Sequence, residues 1–495
     1  MLARLYMQSP ARHCRLFGSS VRTRFAPSPT GFMHIGGLRM ALINYLFAKK
    51  NDGSFLLRIE DTDQSRIVPG SMENIIQTMN DFHLVPDEEP CIQSERLATY
   101  QAYAKQLVDS GCAYYCFCSP QKTKGKTAAH HRCRCGEMTP QEVQDRLGEK
   151  QRYTIRLHMP QRPFELHDLL RGDITIQGSE VDDAVLLKSD GFPTYHLASV
   201  VDDHQMRIST VIRGEEWISS FPKHLQLYDA FGWKAPDFVH LPLLLSEKKT
   251  KISKRDGGFD LRGLLSDGYL PPALLSYIYY IGLKRGNDAN VDGMNGVFLS
   301  LEDMIRDFDL KKLSDTPNCI DQKIMQRINQ LHISNELQTQ PDALIRVASA
   351  YCVKEGISEI PSSFDWMGFF QACGPRIAVM KDVTRFITQI VSDPPPSTYT
   401  SNSIIQAKEW GESKSFVVAL QKELHSISDD AFTHDTINQC LIRIGEAYPD
   451  HRKKLMAALR LALTGSKSGF GLSETMELMK KPVVLDRLQR LKEVL

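Results

Sequence analysis

The sequence predicts an α/β fold with an all-α C-terminal part, and three observations carry that expectation. First, the apolar run Val21-Arg22-Thr23-Arg24-Phe25-Ala26 leads through the tight loop Pro27-Ser28-Pro29-Thr30-Gly31 to His34-Ile35-Gly36-Gly37 and the periodic stretch Met40 to Ala48. That order reads as strand, loop and helix start. Second, Phe55-Leu56-Leu57-Arg58-Ile59 has the pattern of a buried strand. It delivers Glu60, Asp61 and Asp63 to its carboxyl end, where open parallel sheets bind ligands. Third, the pattern turns helical beyond Phe298, with amphipathic candidates near Ile320 to Leu331, Met380 to Val391, Ser415 to Leu424 and His451 to Leu463.

The helix start is chemically suggestive. Its unpaired amides and partial positive charge suit an anion, and Gly36 and Gly37 let a purine or phosphate approach the backbone. His34 adds a side-chain donor for a phosphate oxygen. Much later, Lys251-Ile252-Ser253-Lys254-Arg255 puts three cations within five residues beside Asp256-Gly257-Gly258, a loop fit to cover a departing polyphosphate. The two strings read as halves of one ATP site. A strand-like run from Arg207 to Arg213 and a helix-like stretch from Pro271-Pro272 through Leu283 complete the coarse outline.

Composition bounds the answer without singling one out. A chain of 495 residues has room for three or four domains, and 42% hydrophobic with 24% charged residues is ordinary globular usage. A net charge of +1 does not advertise a nucleic-acid binder, so any RNA contact has to use local basic surface balanced by acids elsewhere. Eleven scattered cysteines without a secretory signal suit a reducing compartment. The longest apolar stretch, near Ala273 to Leu283, is too short to span a bilayer. Met1 to Ser20 contain Arg4, Arg12 and Arg15, three serines and no acid. That composition suits an organelle-targeting peptide, with a disordered extension as the alternative.

Cys116-Phe117-Cys118 and Cys133-Arg134-Cys135 offer four thiolates, enough for a closed tetrahedral zinc site that leaves no position for water. Zinc there is structural; His130 and His131 stand nearby as substitute ligands, and four unliganded thiols are the alternative. Lys122, Lys124, Lys126, Arg132 and Arg134 make the same segment basic. It is fit to meet the phosphates of an RNA end, or it is a solvated loop.

At Arg24 to Gly31, His34 to Gly37, Arg58 to Asp63, Phe192-Pro193-Thr194-Tyr195-His196-Leu197-Ala198, Val211 to Trp217 and Lys251 to Arg255, the chain resembles the class I aminoacyl-tRNA synthetases. Within them it is similar to the glutamate-specific members, from about Val21 to Leu495, and its first residues suggest the mitochondrial form. The resemblance implies a Rossmann-type nucleotide-binding catalytic domain over 21–320, with halves at about 21–110 and 190–260, an acceptor-binding insertion at about 111–189 and a stem-contact region at about 261–320. An all-α anticodon-binding domain over 321–495 follows, and 1–20 is a targeting peptide.

The activity implied is ATP-dependent attachment of L-glutamate to tRNA(Glu) through a glutamyl-adenylate in the mitochondrial matrix, by a monomer not inserted in a membrane. Mg²⁺ accompanies ATP, and charging of tRNA(Gln) stays open. Catalysis is assigned to His34, Lys251 and Lys254. The glutamate pocket is assigned to Arg24, Phe25, Ala26, Glu60, Tyr195, His196, Leu197, Ala198, Ser199 and Arg213, with Glu60 on the ammonium group and the arginines on carboxylate. ATP contacts are assigned to His34, Gly36, Gly37, Glu216, Lys251, Ile252, Ser253, Lys254 and Arg255, while Ser28, Trp217 and Arg66 accompany the two substrates. Lys453, Lys454 and Arg460 are candidates for RNA contact. Rival readings are a glutaminyl enzyme, which has a β-barrel anticodon region, and a catalytically inactive tRNA-binding protein.

Overall fold

The structure, a computed structural model, describes residues 21–118, 133–250, 259–284, 299–357, 360–399, 401, 404, 409 and 411–495. The proposed targeting peptide, the lysine string 251–255 and Lys122, Lys124, Lys126, His130, His131 and Arg132 lie outside the described residues. Two compact units result. One comprises the described residues through Leu261 together with Leu275–Asp321, the other Arg262–Leu274 together with Gln322–Leu495.

The first unit is a parallel α/β structure. Its first half runs β1 (Arg22–Phe25), α1 (Ile35–Lys50), β2 (Ser54–Ile59), α2 (Ser71–Asp81), β3 (Cys91–Ile92) and α3 (Leu97–Asp109), with β1 and β3 each parallel to β2. Phe55, Leu56, Leu57, Arg58 and Ile59 are all buried, as expected of a strand covered on both faces. After the intervening β4 (Ala113–Cys116), α4 (Pro140–Gly148), β5 (Thr154–Leu157), β6 (Pro163–Asp168), β7 (Gly172–Gln177) and β8 (Val185–Leu187), the second half supplies α5 (Tyr195–Gln205), β9 (Thr210–Gly214), α6 (Phe221–Phe231) and β10 (Asp237–Leu241). β9 and β10 are parallel, with Arg213 opposite His240. The Ser209 amide, just before β9, donates to Arg22 O at 3.0 Å and brings the two halves edge to edge.

The expected insertion is less separate than its position implies. β4, β5 and β8 form their own antiparallel sheet. The β6–β7 hairpin instead extends the second half-sheet, because β6 runs parallel to β10 with Asp168 opposite Phe238. Leu56, Tyr100, Ile155, Phe164, Val200, Val211 and Phe238 then share one core. A hairpin with one alternating apolar edge gains more by burying Phe164 and Leu166 there than by standing alone.

The second unit is helical, without a strand among its described residues. The expected helices are found at Gln322–Thr339, Met380–Val391, Ser413–Ser426 and Arg452–Thr464, joined by Pro341–Lys354, Trp366–Cys373, His434–Glu446, Leu472–Met479 and Lys481–Val494. Their apolar faces meet around Ala348, Phe369, Ile387, Leu420, Leu459 and Leu488. This unit resumes at Gln322, and Arg262–Leu274 also belongs to it. Asn329 Oδ1 accepts from the Leu270 amide at 2.8 Å, and Gly268 (φ +89°) packs so tightly that a Cβ there would lie 2.4 Å from Met380 Cβ. Arg460, a candidate RNA contact, spends an N–H on Phe470 O (2.8 Å), whereas Lys453 is exposed. Among the described residues no helix is long and apolar enough to cross a membrane.

Candidate active site

The start of α1 is capped by its own imidazole. His34 has extended backbone (φ −115°, ψ 169°), and its Nδ1 accepts from the amides of Gly36 (3.1 Å) and Gly37 (3.4 Å). An accepting nitrogen carries no proton, so the ring is the tautomer with hydrogen on Nε2, and Nε2 is its donor. Two amides that the sequence leaves open to a phosphate are thus already satisfied by the imidazole. Gly36 is required by this cap, since a Cβ would sit 2.9 Å from His34 Cε1.

Described segments flank the lysine string on both sides. Ser246 and Thr250 close a turn, with the Ser246 amide 2.8 Å from Thr250 O. Beyond the string, Asp260 forms an antiparallel bridge with His34, and the Leu261 amide donates to Met33 O.

A cavity of about 350 Å³ opens against the helix start. Its wall takes Arg24, Phe25 and Ala26 from the end of β1, Ser28 from the following loop, His34, Gly36 and Gly37 from the cap, and Glu60 from the end of β2. Tyr195 opens α5 into the same space, and Arg213, Glu216 and Trp217 close it from the end of β9. All these carboxyl ends point the same way because the strands are parallel, which is how one parallel sheet gathers residues far apart in sequence.

Charge is arranged differently on the two sides. Arg24 Nε donates to Asp203 Oδ1 (2.9 Å) and its Nη1 to Ile212 O (3.3 Å), all in the interior. Arg58 reaches the same Asp203 oxygen (2.6 Å) and holds Glu60 Oε1 (3.0 Å). Burial would raise Asp203, but Arg24 and Arg58 outweigh it and hold the carboxyl below its usual range. For Glu60 burial wins over Arg58 and Arg24, and its pKa is raised. Arg213, by contrast, donates to His240 Nε2 (3.0 Å), Tyr195 OH (3.1 Å), His224 Nδ1 (3.2 Å) and Trp217 O (3.4 Å). Tyr195 also packs on Trp217 with ring centroids 4.1 Å apart.

Four expected pocket residues lie elsewhere. A helix turns about 100° per residue, so Tyr195 alone from the first turn of α5 reaches the cavity wall. Leu197 and Ala198 are fully buried in the core, Ser199 Oγ accepts from Arg58 Nη2 (3.2 Å), and His196 Nδ1 meets His224 Nε2 (3.2 Å). Arg66 is exposed beside Asp63. Sequence reasoning missed Arg58, Asp203, His224, His240 and Asp168 as parts of the site. The usable signal was a charge inside an apolar strand or helix, as in Leu57-Arg58-Ile59 and Val200-Val201-Asp202-Asp203.

The four cysteines converge. Cys116 and Cys133 sulfurs lie 3.4 Å apart, Cys118 and Cys133 3.3 Å, Cys118 and Cys135 3.7 Å, and all four within 4.8 Å of one another. A tetrahedron of Zn–S bonds of about 2.3 Å requires sulfurs about 3.8 Å apart, so the set fits zinc.

A parallel sheet that gathers a helix start and guanidiniums around one small cavity at its strands' carboxyl ends is built to take an anionic ligand. The chain belongs to the class I tRNA synthetases: residues 20–327 match the family of tRNA synthetases class I (E and Q), catalytic domain, and 327–492 match an anticodon binding domain. It is similar to the glutamate–tRNA ligase of Alkaliphilus metalliredigens, 36% identical over 511 residues spanning 96% of this chain and 99% of that one. It resembles that of Chloroherpeton thalassium at 37% over 502 residues, 95% and 97% of the two chains. The crystal structure of a glutamate tRNA ligase from Elizabethkingia meningosepticum in complex with its amino acid matches with a TM-score of 0.79 at 31% identity, covering 96% of this chain and 99% of that one.

Proposed function

We infer that the chain is an ATP-dependent glutamate–tRNA ligase, which joins L-glutamate to tRNA(Glu) through a glutamyl-adenylate. The observation that carries this reading is the meeting of Arg24, Arg213 and Glu60 in one cavity beside the imidazole-capped start of α1. A substrate with two carboxylates and one ammonium group calls for that inventory. Its α-carboxylate is consumed in the chemistry, so the group held throughout is the side-chain carboxylate. That group falls to Arg213 with Arg24, and the ammonium to Glu60.

An oxygen of the α-carboxylate attacks the α-phosphorus of ATP and pyrophosphate leaves, with no protein nucleophile required. His34 Nε2–H supplies a donor to a phosphate oxygen, and Lys251 and Lys254 supply fixed positive charge. Mg²⁺, bound with ATP, would neutralise phosphate charge. The 2′-hydroxyl of the terminal adenosine then attacks the anhydride carbonyl, leaving glutamate esterified and AMP released. The second unit, helical and without a strand among its described residues, supports this reading over a glutaminyl enzyme with a β-barrel anticodon region.

Charging assays with glutamate and glutamine on tRNA(Glu) and tRNA(Gln) test the proposal. Glutamate on tRNA(Glu) is the expected product; glutamine charging, or no ATP–pyrophosphate exchange with tRNA present, would overturn it. Lys254→Ala is expected to raise the adenylation barrier by roughly 2–4 kcal/mol, and wild-type turnover would remove the lysine string from the mechanism.

We propose in addition that Cys116, Cys118, Cys133 and Cys135 hold a structural zinc. A purified protein without stoichiometric zinc, whose stability is unaltered by Cys133→Ser, would count against it. Arg4, Arg12 and Arg15 in an acid-free Met1 to Ser20 support delivery to the mitochondrial matrix. A reporter fused to residues 1–30 should enter mitochondria, and diffuse cytosolic signal refutes this. Action as a monomer is checked by sedimentation.

A further inference from the structure

Arg24 and Arg58 each touch a carboxylate, but among the described residues none lies within 4.0 Å of Arg213. Each hydrogen-bond partner of Arg213 among the described residues is a neutral acceptor: two imidazole nitrogens, a phenol oxygen and a backbone carbonyl. Four of its five N–H groups are thereby placed, and Arg213 is only 5% exposed. Glu216 lines the same cavity without forming an ion pair with it.

Because arginine can only donate, both imidazoles must present a lone pair to it, and this fixes their tautomers. On His240 the proton then sits on Nδ1, 2.7 Å from Asp168 Oδ2. On His224 it sits on Nε2, facing His196 Nδ1. Asp168 cannot turn away. Its Oδ1 accepts the amides of Leu170 and Arg171 (both 2.9 Å), and its Oδ2 also accepts the His240 amide (2.9 Å). The sheet supplies the alignment, since Arg213 and His240 are register partners on β9 and β10 and Asp168 ends the adjoining β6. Burial lowers the pKa of His240 against the opposing pull of Asp168, and that of His224 with the help of Arg213, so both rings are neutral.

We propose that this neutral cradle, and not the arginine alone, makes the site choose a side-chain carboxylate over a carboxamide. An acid in the cradle would orient the guanidinium as well but would also neutralise it. Acceptors without charge orient it and leave its positive charge for the substrate to balance, which glutamate does and glutamine does not. Asp168, His240 and His224 are positioning residues in this scheme. The inference rests on the reading that Arg213 meets the side-chain carboxylate.

The test compares His224→Gln with His224→Glu in the full-length protein, scoring KM for glutamate against Ki for glutamine in tRNA-dependent ATP–pyrophosphate exchange. The neutral variant should keep the preference within about threefold, and the acidic one should lower it by about tenfold or more, with KM for ATP unmoved. Equal preference in the two variants overturns the cradle. Should His224→Glu not fold, His240 decides. His240→Gln supplies an acceptor near Nε2, whereas His240→Asn keeps a donor for Asp168 and offers Arg213 none. A lower glutamate KM for H240Q than for H240N is expected, and equal values refute the proposal. Arg213→Gln tests the underlying reading separately: unchanged glutamate KM there removes Arg213 from the pocket, while the expected loss combined with equal His224 variants removes only the cradle.

Discussion

Arg58 in the first unit and Arg487 in the second are both almost wholly buried, yet they are compensated in opposite ways. Arg58 lies between carboxylates, donating to Asp203 and Glu60. Arg487 lies among carbonyls, donating to Gln389 O and Ile390 O (both 3.1 Å), Ser392 O (2.8 Å) and Leu463 O. Those oxygens are at the C-terminal ends of Met380–Val391 and Arg452–Thr464, where helices leave acceptors unsatisfied and negative charge accumulates. Among the described residues the ion-pair partner of Arg487 is the exposed Asp393 at 3.6 Å. Burial lowers the pKa of Arg487 despite Asp393, whereas Asp203 and Glu60 overcome burial and raise that of Arg58. A buried cation among acids beside a cavity serves a ligand site; one among helix ends serves architecture.

The sharpest way to break this contrast is to replace both residues by methionine. Arg58→Met leaves Glu60 without its partner and Asp203 half-paired, and should destabilise the first unit by roughly 3–5 kcal/mol while raising KM for glutamate. Arg487→Met strands several helix carbonyls and should cost the second unit roughly 2–4 kcal/mol in denaturant unfolding, with KM for glutamate unchanged. If both variants shift that KM alike, the contrast is wrong.

Acid sharpens the comparison without touching either arginine. Burial pushes His196 in the first unit and His332 in the second down to about 4. Both rings are therefore neutral when folded, and between about pH 6.5 and pH 4 the unfolded chain binds the extra proton. Stability is complete above about pH 6.5 and falls as the pH drops toward 4, by up to about 3 kcal/mol per ring. His332→Gln should flatten that acid limb for the second unit only, as read by unfolding at a series of pH values. The smallest expected effect is at the helix cap. Gly36→Ala should displace His34 and cost about 1 kcal/mol of stability, with slower adenylate formation as the functional readout.

Much of this was legible in the residues. Strand, loop and helix start were visible from Val21 to Ala48, and the period of Met380 to Val391 marked that helix to the residue. Arg24, Glu60, Tyr195 and Arg213 were assigned to the pocket by the family resemblance of their motifs, and the structure brings all four to the wall of one cavity. His196 to Ser199 were not separable from Tyr195, since a motif is a string and a helix distributes its residues around an axis. The satisfied amides of Gly36 and Gly37 were equally invisible, because whether His34 turns inward as a cap depends on the room the glycine leaves.

By itself the chain of letters determined which side chains were present, the periods that make strands and helices of them and thus the class of fold, while its motifs carried the family resemblance that implies the reaction. Only the tertiary structure decided which acid balances which arginine. Asp203 on α5 reaches Arg24 and Arg58 on β1 and β2, and Asp168 reaches Arg213 only through His240, between elements far apart in sequence. Charge compensation in a low-dielectric interior is a matter of ångströms, and parallel packing, not sequence proximity, sets those distances.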